Sequence, residues 1–270
     1  MTRPPLDGTI LVTGASSGIG AALARALAPR AKALVITARR TKRLRDLAAE
    51  ITASGARATV RVLPCDLADP AAREALLAAV AREVGAIDVL VNDAGFGDQG
   101  PFVGGDWERY RRMIEVNAVA AMHLAHALVP DMVARGRGGI LNVSSAVGRV
   151  VIPELATYGA TKHFVTAFTE ALGSELAGSG VVVSQLCPGP VATEFGSVAR
   201  MRGGVAPPRF LAMSAERCAA IAVAGFARGR PMIVPGARVA TAIALYELAP
   251  RPLRRVAERV VGAWLVRGSR

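Results

Sequence analysis

Six short runs of apolar, largely β-branched residues recur along this chain, and nothing else in it limits the fold so strongly. They are TILVT (9–13), ALVIT (33–37), ATVRVL (58–63), IDVLVN (87–92), GILNVS (139–144) and VVVSQL (181–186). Alanine-, leucine- and arginine-rich stretches of helical period alternate with them, near 18–28, 41–53, 69–84, 106–134 and 157–177. A strand that is apolar on both faces has to be covered on both faces, and a strand joined to the next through a helix pairs in parallel. The alternation therefore predicts an α/β fold: a single doubly wound parallel sheet with helices on both faces. A chain of 270 residues can bury one such core.

The rhythm breaks twice. Residues 188–213 carry Pro188, Gly189, Pro190, Gly203, Gly204, Pro207 and Pro208 among Phe195, Met201, Phe210 and Met213. A Gly/Pro segment with apolar side chains directly after a strand reads as a substrate loop. The second break is the C-terminus. We expect residues 1–235 to form one domain around this sheet, with 236–270 a basic, amphipathic helical extension of it.

The first strand, glycine turn and helix read TILVTGASSGIGAALARAL. Gly14, Gly18 and Gly20 let the backbone turn tightly and bring its N–H groups close to an anion. The helix beginning near Gly18 points its positive end at the same place, and Ser16 and Ser17 add hydroxyl donors beside Ile19. In the first βαβ unit this predicts a Rossmann-type pyrophosphate site. At the end of the second strand stand Thr37, Ala38, Arg39 and Arg40, and no acid appears before Asp46. An acid there would accept from the ribose hydroxyls of NAD(H), whereas arginine meets a 2′-phosphate, so the cofactor is predicted to be NADP(H) rather than NAD(H).

Of 33 basic residues only Lys32, Lys42 and Lys162 are lysines. Lys162 follows Tyr158 by four positions, on one helical face with Val165, Leu172 and Leu176. An ammonium near a phenol stabilises the phenolate and tunes it toward proton exchange. Ser145 closes the strand of ILNVSSAVG, at the sheet edge where ligands of such folds bind.

With these residues assembled, the chain resembles the short-chain dehydrogenase/reductase family. The matching motifs are TGASSGIG (13–20), Asp66 in CDL, N-x-A-G at 92–95, Asn117 in EVNAVAA, Ser145, Y-x3-K at 158–162 and PGPVAT (188–193), in family order over residues 9 to 195. The resemblance implies that Tyr158 is the general acid or base and that Lys162 binds the nicotinamide ribose and lowers the Tyr158 pKa. It implies that Ser145 holds the substrate oxygen and Asn117 a relay water. Asp66 and Leu67 would meet the adenine. Asn92, Ala94 and Gly95 would line the cofactor, and Pro188, Gly189, Val191 and Thr193 would flank the nicotinamide. The implied activity is reduction of a carbonyl, or oxidation of an alcohol, on an apolar small molecule, with a 3-oxoacyl thioester reductase as the alternative. A non-catalytic NADP(H) sensor or scaffold would have no need of the Asn117, Ser145, Tyr158, Lys162 set. The family pattern is Asn-Asn-Ala-Gly, and Asp93 departs from it: an ionised Asp accepts hydrogen bonds but donates none.

Other classes fit less well. Cys65, Cys187 and Cys218 show neither a disulfide framework nor zinc-ligand spacing, which suits a reducing cytoplasm. No uninterrupted apolar run reaches about 18 residues, and the N-terminus has no signal-peptide pattern. The net charge of +12 admits anionic partners, but aromatics are only 4% and no basic block interleaves with them, so no nucleic-acid partner is expected. A second apolar patch, Phe164, Phe168 and Ala171, predicts a homo-oligomer built on helix 157–177. In the tail, 238–248 and 253–266 read as helices, and Leu253, Val256, Ala257, Val260, Val261 and Trp264 form a stripe with Arg254, Arg255 and Arg259 off it. We expect this stripe to pack on protein with Trp264 buried. The alternative is peripheral contact with an anionic membrane.

Overall fold

The computed structural model describes residues 2–200 and 212–268, with side chains in the last helix described through Val261. In chain order the elements are β1 (Thr9–Thr13), α1 (Gly18–Leu27), β2 (Ala33–Thr37), α2 (Thr41–Ala53), β3 (Thr59–Val62), α3 (Pro70–Glu83), β4 (Val89–Asn92), α4 (Trp107–Ile114), α5 (Ala120–Ala134), β5 (Gly138–Val143), α6 (Ala156–Glu175) and β6 (Val181–Leu186). Then follow β7 (Val191–Ala192), α7 (Phe195–Val198), β8 (Met213–Ser214), α8 (Ala215–Phe226), β9 (Met232–Ile233), α9 (Ala237–Leu248) and α10 (Arg251–Gly268). All six predicted strands and all five predicted core helices are present, with ends moved by at most two residues or so.

Seven strands form one parallel sheet in the order β3-β2-β1-β4-β5-β6-β9. The chain winds outward from β1 to β3, then crosses back to lay β4 on the other side of β1. That reversal opens a crevice beyond the carboxyl ends of β1 and β4. The period-2 geometry of the strands divides the core. Ile10 and Val12 face one layer with Leu23, Leu27, Leu44 and Phe226, while Leu11 faces the other with Leu90, Leu124, Met132 and Ile140. All of these side chains are fully buried.

Sequence periodicity did not supply α8 or β9. α8 is apolar nearly all round and contributes Cys218, Ala219, Ala222, Val223 and Phe226 to the core, so no polar face marks it as amphipathic. β9 has only two residues. The predicted single helix 106–134 is interrupted by a π-helical turn at Glu115–Val119. Within the predicted loop 188–213, β7 and β8 pair in parallel apart from the main sheet. Met201, Gly203, Gly204, Pro207, Pro208 and Phe210 lie outside the described residues.

The tail helices form as predicted, but α10 is turned the other way. Leu253, Val256, Val260 and Val261 are 61, 55, 64 and 39% exposed, so the stripe does not pack on this chain. Polar bonds orient the helix instead. Glu258 accepts from the Tyr246 hydroxyl at 2.6 Å, and Arg254 donates to the Ala249 carbonyl at 2.8 Å and lies over the Tyr246 ring. The Trp264 side chain lies outside those described. α9 itself is anchored to the core: Ile243 is buried, Arg149 pairs with Glu247 at 2.5 Å, and the Tyr246 hydroxyl accepts from the Val151 N–H at 3.3 Å.

Candidate active site

The crevice floor is the turn from β1 into α1. Gly14 has φ +70°, a region that side-chain-bearing residues rarely adopt, and a Cβ there would stand 2.8 Å from the Ala94 nitrogen. A Cβ at Gly20 would stand 2.6 Å from the Gly14 carbonyl oxygen. The Ser17 side chain makes no capping bond to α1; the Gly20 N–H meets the Asp93 carboxyl, and the Gly18 and Ile19 N–H groups before it are left to the crevice. This is a cradle for a pyrophosphate, and Ile19 forms part of its helical wall.

Arg40 closes the outer side of the turn. It donates to the Ser16 hydroxyl at 3.0 Å, to the Ser17 hydroxyl at 2.5 Å and to Glu194 at 2.9 Å. Arg43 also binds Glu194, at 2.7 Å, and the two guanidinium groups hold that carboxyl below the usual carboxylate range. Neither arginine is therefore merely solvated. Arg39 points elsewhere: it is exposed, makes no ion pair among the described residues, and lines a cavity of about 410 Å³ with Asp66, Ala68 and Asp69. Partial burial pushes the Asp66 carboxyl up, but the Ala68 N–H at 3.1 Å, Arg112 and the nearby Arg39 outweigh it and leave it below its ordinary value. Leu67 is buried beside it.

Behind the turn, the Thr13 hydroxyl accepts from both the Asp93 and Ala94 N–H groups at 3.0 Å, which fixes the exit of β4. The Asn92 amide is used inside the protein. It donates to the Ala121 carbonyl at 3.1 Å and to Asn142 at 2.9 Å, and so ties β4 to β5 and α5. The backbone around it, rather than its side chain, reaches the crevice.

Four elements bring the reacting groups together. Ser145 stands just beyond β5, where its hydroxyl accepts from the Val147 N–H at 3.2 Å and reaches the Tyr158 phenol. Tyr158 and Lys162 rise from the first turns of α6, and both are buried. Lys162 Nζ donates to the Val143 carbonyl at 2.9 Å. A Cβ at Gly95 would stand 3.4 Å from that nitrogen and 3.1 Å from Asn117 Oδ1, which is the physical reason for glycine there. Asn117 sits in the π-helical turn, a deformation that often marks functional sites. Its amide accepts from the Phe96 N–H at 3.0 Å and donates to the Phe96 carbonyl at 2.9 Å and to Thr161 at 3.0 Å.

The last wall is the segment after β6. Pro188 accepts from the Ala146 N–H at 2.8 Å, and a Cβ on Gly189 would collide with Val239 of α9. Val191 lies in β7, and Thr193 packs against Gly18. Phe195 leans on Tyr158 with ring centroids 5.4 Å apart.

The electrostatics differ from the expectation drawn from Tyr/Lys spacing. Burial pushes the Tyr158 phenol up to about 12; the Ser145 hydrogen bond opposes this, and the Asp93 charge adds to it. Burial drives the Lys162 ammonium down, while Asp93 holds it up. Burial drives the Asp93 carboxyl up, opposed by Lys162 and the Gly20 N–H. Asp93, which only departure from a pattern singled out, is thus the half-buried carboxyl that faces Lys162 in the site. Sequence reading placed Phe195 in the substrate loop without its contact to Tyr158, and did not find Glu194 or Thr161. Only the T of YGATK, next to the lysine, could have marked Thr161.

A doubly wound sheet with a glycine turn at its switch point, and Ser145, Tyr158 and Lys162 beside it, defines the class as a Rossmann-type fold with a Ser, Tyr and Lys set at its crevice. A model of the short chain dehydrogenases matches residues 8–202, and the chain belongs to that family. "Dehydrogenase/reductase SDR family member 7" of Homo sapiens is 37% identical over 188 residues, which are 68% of this chain but 56% of that protein. The chain thus spans little more than half of that relative. "Ketoacyl reductase HetN" of Nostoc is 34% identical over 80% of this chain and 73% of its own length. Among solved structures, a short-chain dehydrogenase from Sphingobium yanoikuyae in complex with NADPH is 34% identical, with TM-score 0.81, over 91% of this chain and 94% of that one. A short-chain dehydrogenase/reductase from Burkholderia phymatum in complex with NAD is 26% identical, with TM-score 0.80, over 90% of this chain and 94% of that one.

Proposed function

We propose that this protein is an NADP(H)-dependent oxidoreductase acting on a carbonyl, or in reverse a secondary alcohol, of an apolar small molecule. The observation that carries the reading is the convergence of Ser145, Tyr158, Lys162 and Asn117 on the crevice that the glycine turn opens. The residues suited to hold the dinucleotide are Gly14, Ser16, Ser17, Gly18, Ile19 and Gly20 at the pyrophosphate. Arg39 and Arg40 would take the 2′-phosphate, and Asp66 and Leu67 the adenine. Ala94, Gly95, Tyr158, Lys162, Pro188, Gly189, Val191 and Thr193 would take the nicotinamide half, with Asn92 bracing the strand beneath. NADP(H) supplies the hydride when bound.

The chain supplies orientation and the proton. Ser145 holds the carbonyl oxygen, and Tyr158 gives that oxygen its phenolic proton in reduction and takes it back in oxidation. A phenol held up to about 12 stays protonated at neutral pH, which suits it as the donor in reduction. Phe195 against the Tyr158 ring supports an apolar substrate. Similarity to a ketoacyl reductase supports a 3-oxoacyl thioester as the alternative substrate class. Arg39, exposed and unpaired beside Asp66, supports NADP(H) over NAD(H).

We place residues 1–235 as the catalytic domain and 236–270 as its extension, a division that fits the anchoring of α9 beside Ser145. Phe164, 39% exposed and stacked on Phe168, and Met122 of α5 at 40% support a homo-oligomer built on these helices. We place the protein in the cytoplasm, with peripheral membrane contact through its C-terminal helices. A screen of ketones, aldehydes and acyl thioesters that follows NADPH absorbance tests the chemistry. Turnover lost in Tyr158→Phe supports the reading, and wild-type turnover in that variant would refute it.

A further inference from the structure

The geometry of α10 points to a docking surface for an anionic lipid bilayer, and this gives chemical content to the peripheral contact proposed above. The helix presents its polar edge to the protein and its apolar edge to solvent. Arg254 and Glu258 are spent on α9: Glu258 accepts from Tyr246, and Arg254 binds the Ala249 and Glu247 carbonyls and covers the Tyr246 ring. This leaves Leu253, Val256, Ala257, Val260 and Val261 outside as one exposed stripe. Leu245 and Leu248 at the end of α9 add two more exposed leucines, 65 and 82% accessible. Soluble proteins seldom leave so many large apolar side chains on one short element without a partner.

The charges select the partner. Arg251, Arg255 and Arg259 are exposed along the side of the helix turned away from most of the stripe, with Arg259 bordering it at Val256, and make no ion pair among the described residues. The two acids after Arg228 are both engaged, Glu247 with Arg149 and Glu258 with Tyr246. A second copy of α10 laid on the first would add only more arginine, with no unengaged Asp or Glu in the tail to offset it. Lipid head groups bring the missing negative charge, and the acyl region beneath them takes the stripe. An amphipathic helix of this pattern lies in the plane of the interface. Glu247 and Tyr246 hold α9 to the 149–151 segment and Val239 packs on Gly189, so the docked bilayer would lie on the side of the molecule that carries the active-site rim.

The test is flotation of the full-length protein with two kinds of vesicle, phosphatidylcholine alone and phosphatidylcholine mixed with phosphatidylglycerol. Binding should require phosphatidylglycerol and weaken with salt. Arg251→Gln, Arg255→Gln and Arg259→Gln should each weaken it about fivefold, and the combined variant by about a hundredfold. Leu253→Ser with Val256→Ser and Val260→Ser should abolish it at any salt, with the melting temperature unchanged as a control for folding. Equal binding to both vesicles, or none to either, overturns the proposal. So does a drop in oligomer mass by light scattering in the serine variant without vesicle binding in the wild type, because that result assigns the stripe to a subunit contact. Turnover is not read in this test, so a failure of the hydride-transfer reading leaves its outcome separate.

Discussion

The active-site crevice and the C-terminal helix pair both turn polar side chains inward, with opposite consequences. At the crevice, Asn92, Asn117, Asn142, Ser144, Lys162, Thr166 and Thr169 are buried, and their bonds tie β4, β5, α5 and α6 together. Burying such groups is tolerable because nearly all their polar atoms find partners, Asn92 Oδ1 being the exception, and the low dielectric strengthens those bonds. In α10, Arg254 and Glu258 turn inward onto a single tyrosine and two carbonyls, and no apolar layer waits there for the stripe. A buried polar group in the crevice therefore marks rigidity and shifted proton affinity. In the tail, half-buried Arg254 and Glu258 mark a helix whose apolar face is left exposed.

The sharpest test of the crevice half of this contrast is Tyr158→Phe, which removes one hydroxyl and little else. We expect kcat to fall about 10²- to 10⁴-fold, while fluorescence titration of NADPH shows nearly unchanged affinity. A parallel loss of affinity would mean that the ring, not the proton, was the contribution.

Arg39→Ala comes next. Arg40 and Arg43 are held by Glu194, so Arg39 is the guanidinium left to discriminate. The ratio of NADPH to NADH affinity should fall about 10- to 100-fold, as expected for a lost charge-assisted hydrogen bond. The wild-type ratio should also shrink at high salt. Equal affinities in the wild type would break the argument.

A smaller shift is expected for Asp93→Asn. The carboxylate raises Tyr158 because two anions repel, and it raises Lys162 because it stabilises the ammonium. Removing it lowers both. The alkaline limb of the kcat/KM profile for carbonyl reduction, where the proton donor is lost, should move to lower pH by about one unit. A move to higher pH, or none, would show that Asp93 is electrically isolated from the site.

The smallest effect is expected in the tail. Leu253→Ser and Val256→Ser alter exposed positions and should change the melting temperature by no more than about 1 °C. A fall of several degrees would show that the stripe is packed after all, and would erase the contrast between the two regions.

Whatever rests on local spacing was legible in the residues alone. Strand period and helix period gave the βαβ order, because side-chain direction repeats every two residues in one and every three to four in the other. The glycine turn, the Tyr158–Lys162 face, Ser145 at a strand end and Arg39 without an acid were legible for the same reason. Only the tertiary structure decided contacts that close over long loops. Gly95 meets Lys162 because β4 and β5 pair in one register, Asn92 against Asn142. Asp93 faces Lys162 because the exit of β4 is pinned to Thr13 and pressed against Gly14 and Gly20. The direction of α10 is the clearest case. Periodicity states that a helix has an apolar face, but which face turns inward depends on what the neighbouring element offers. Here α9 offers a tyrosine hydroxyl and free carbonyls, and polar bonds to them outweigh an apolar face with nothing beneath it.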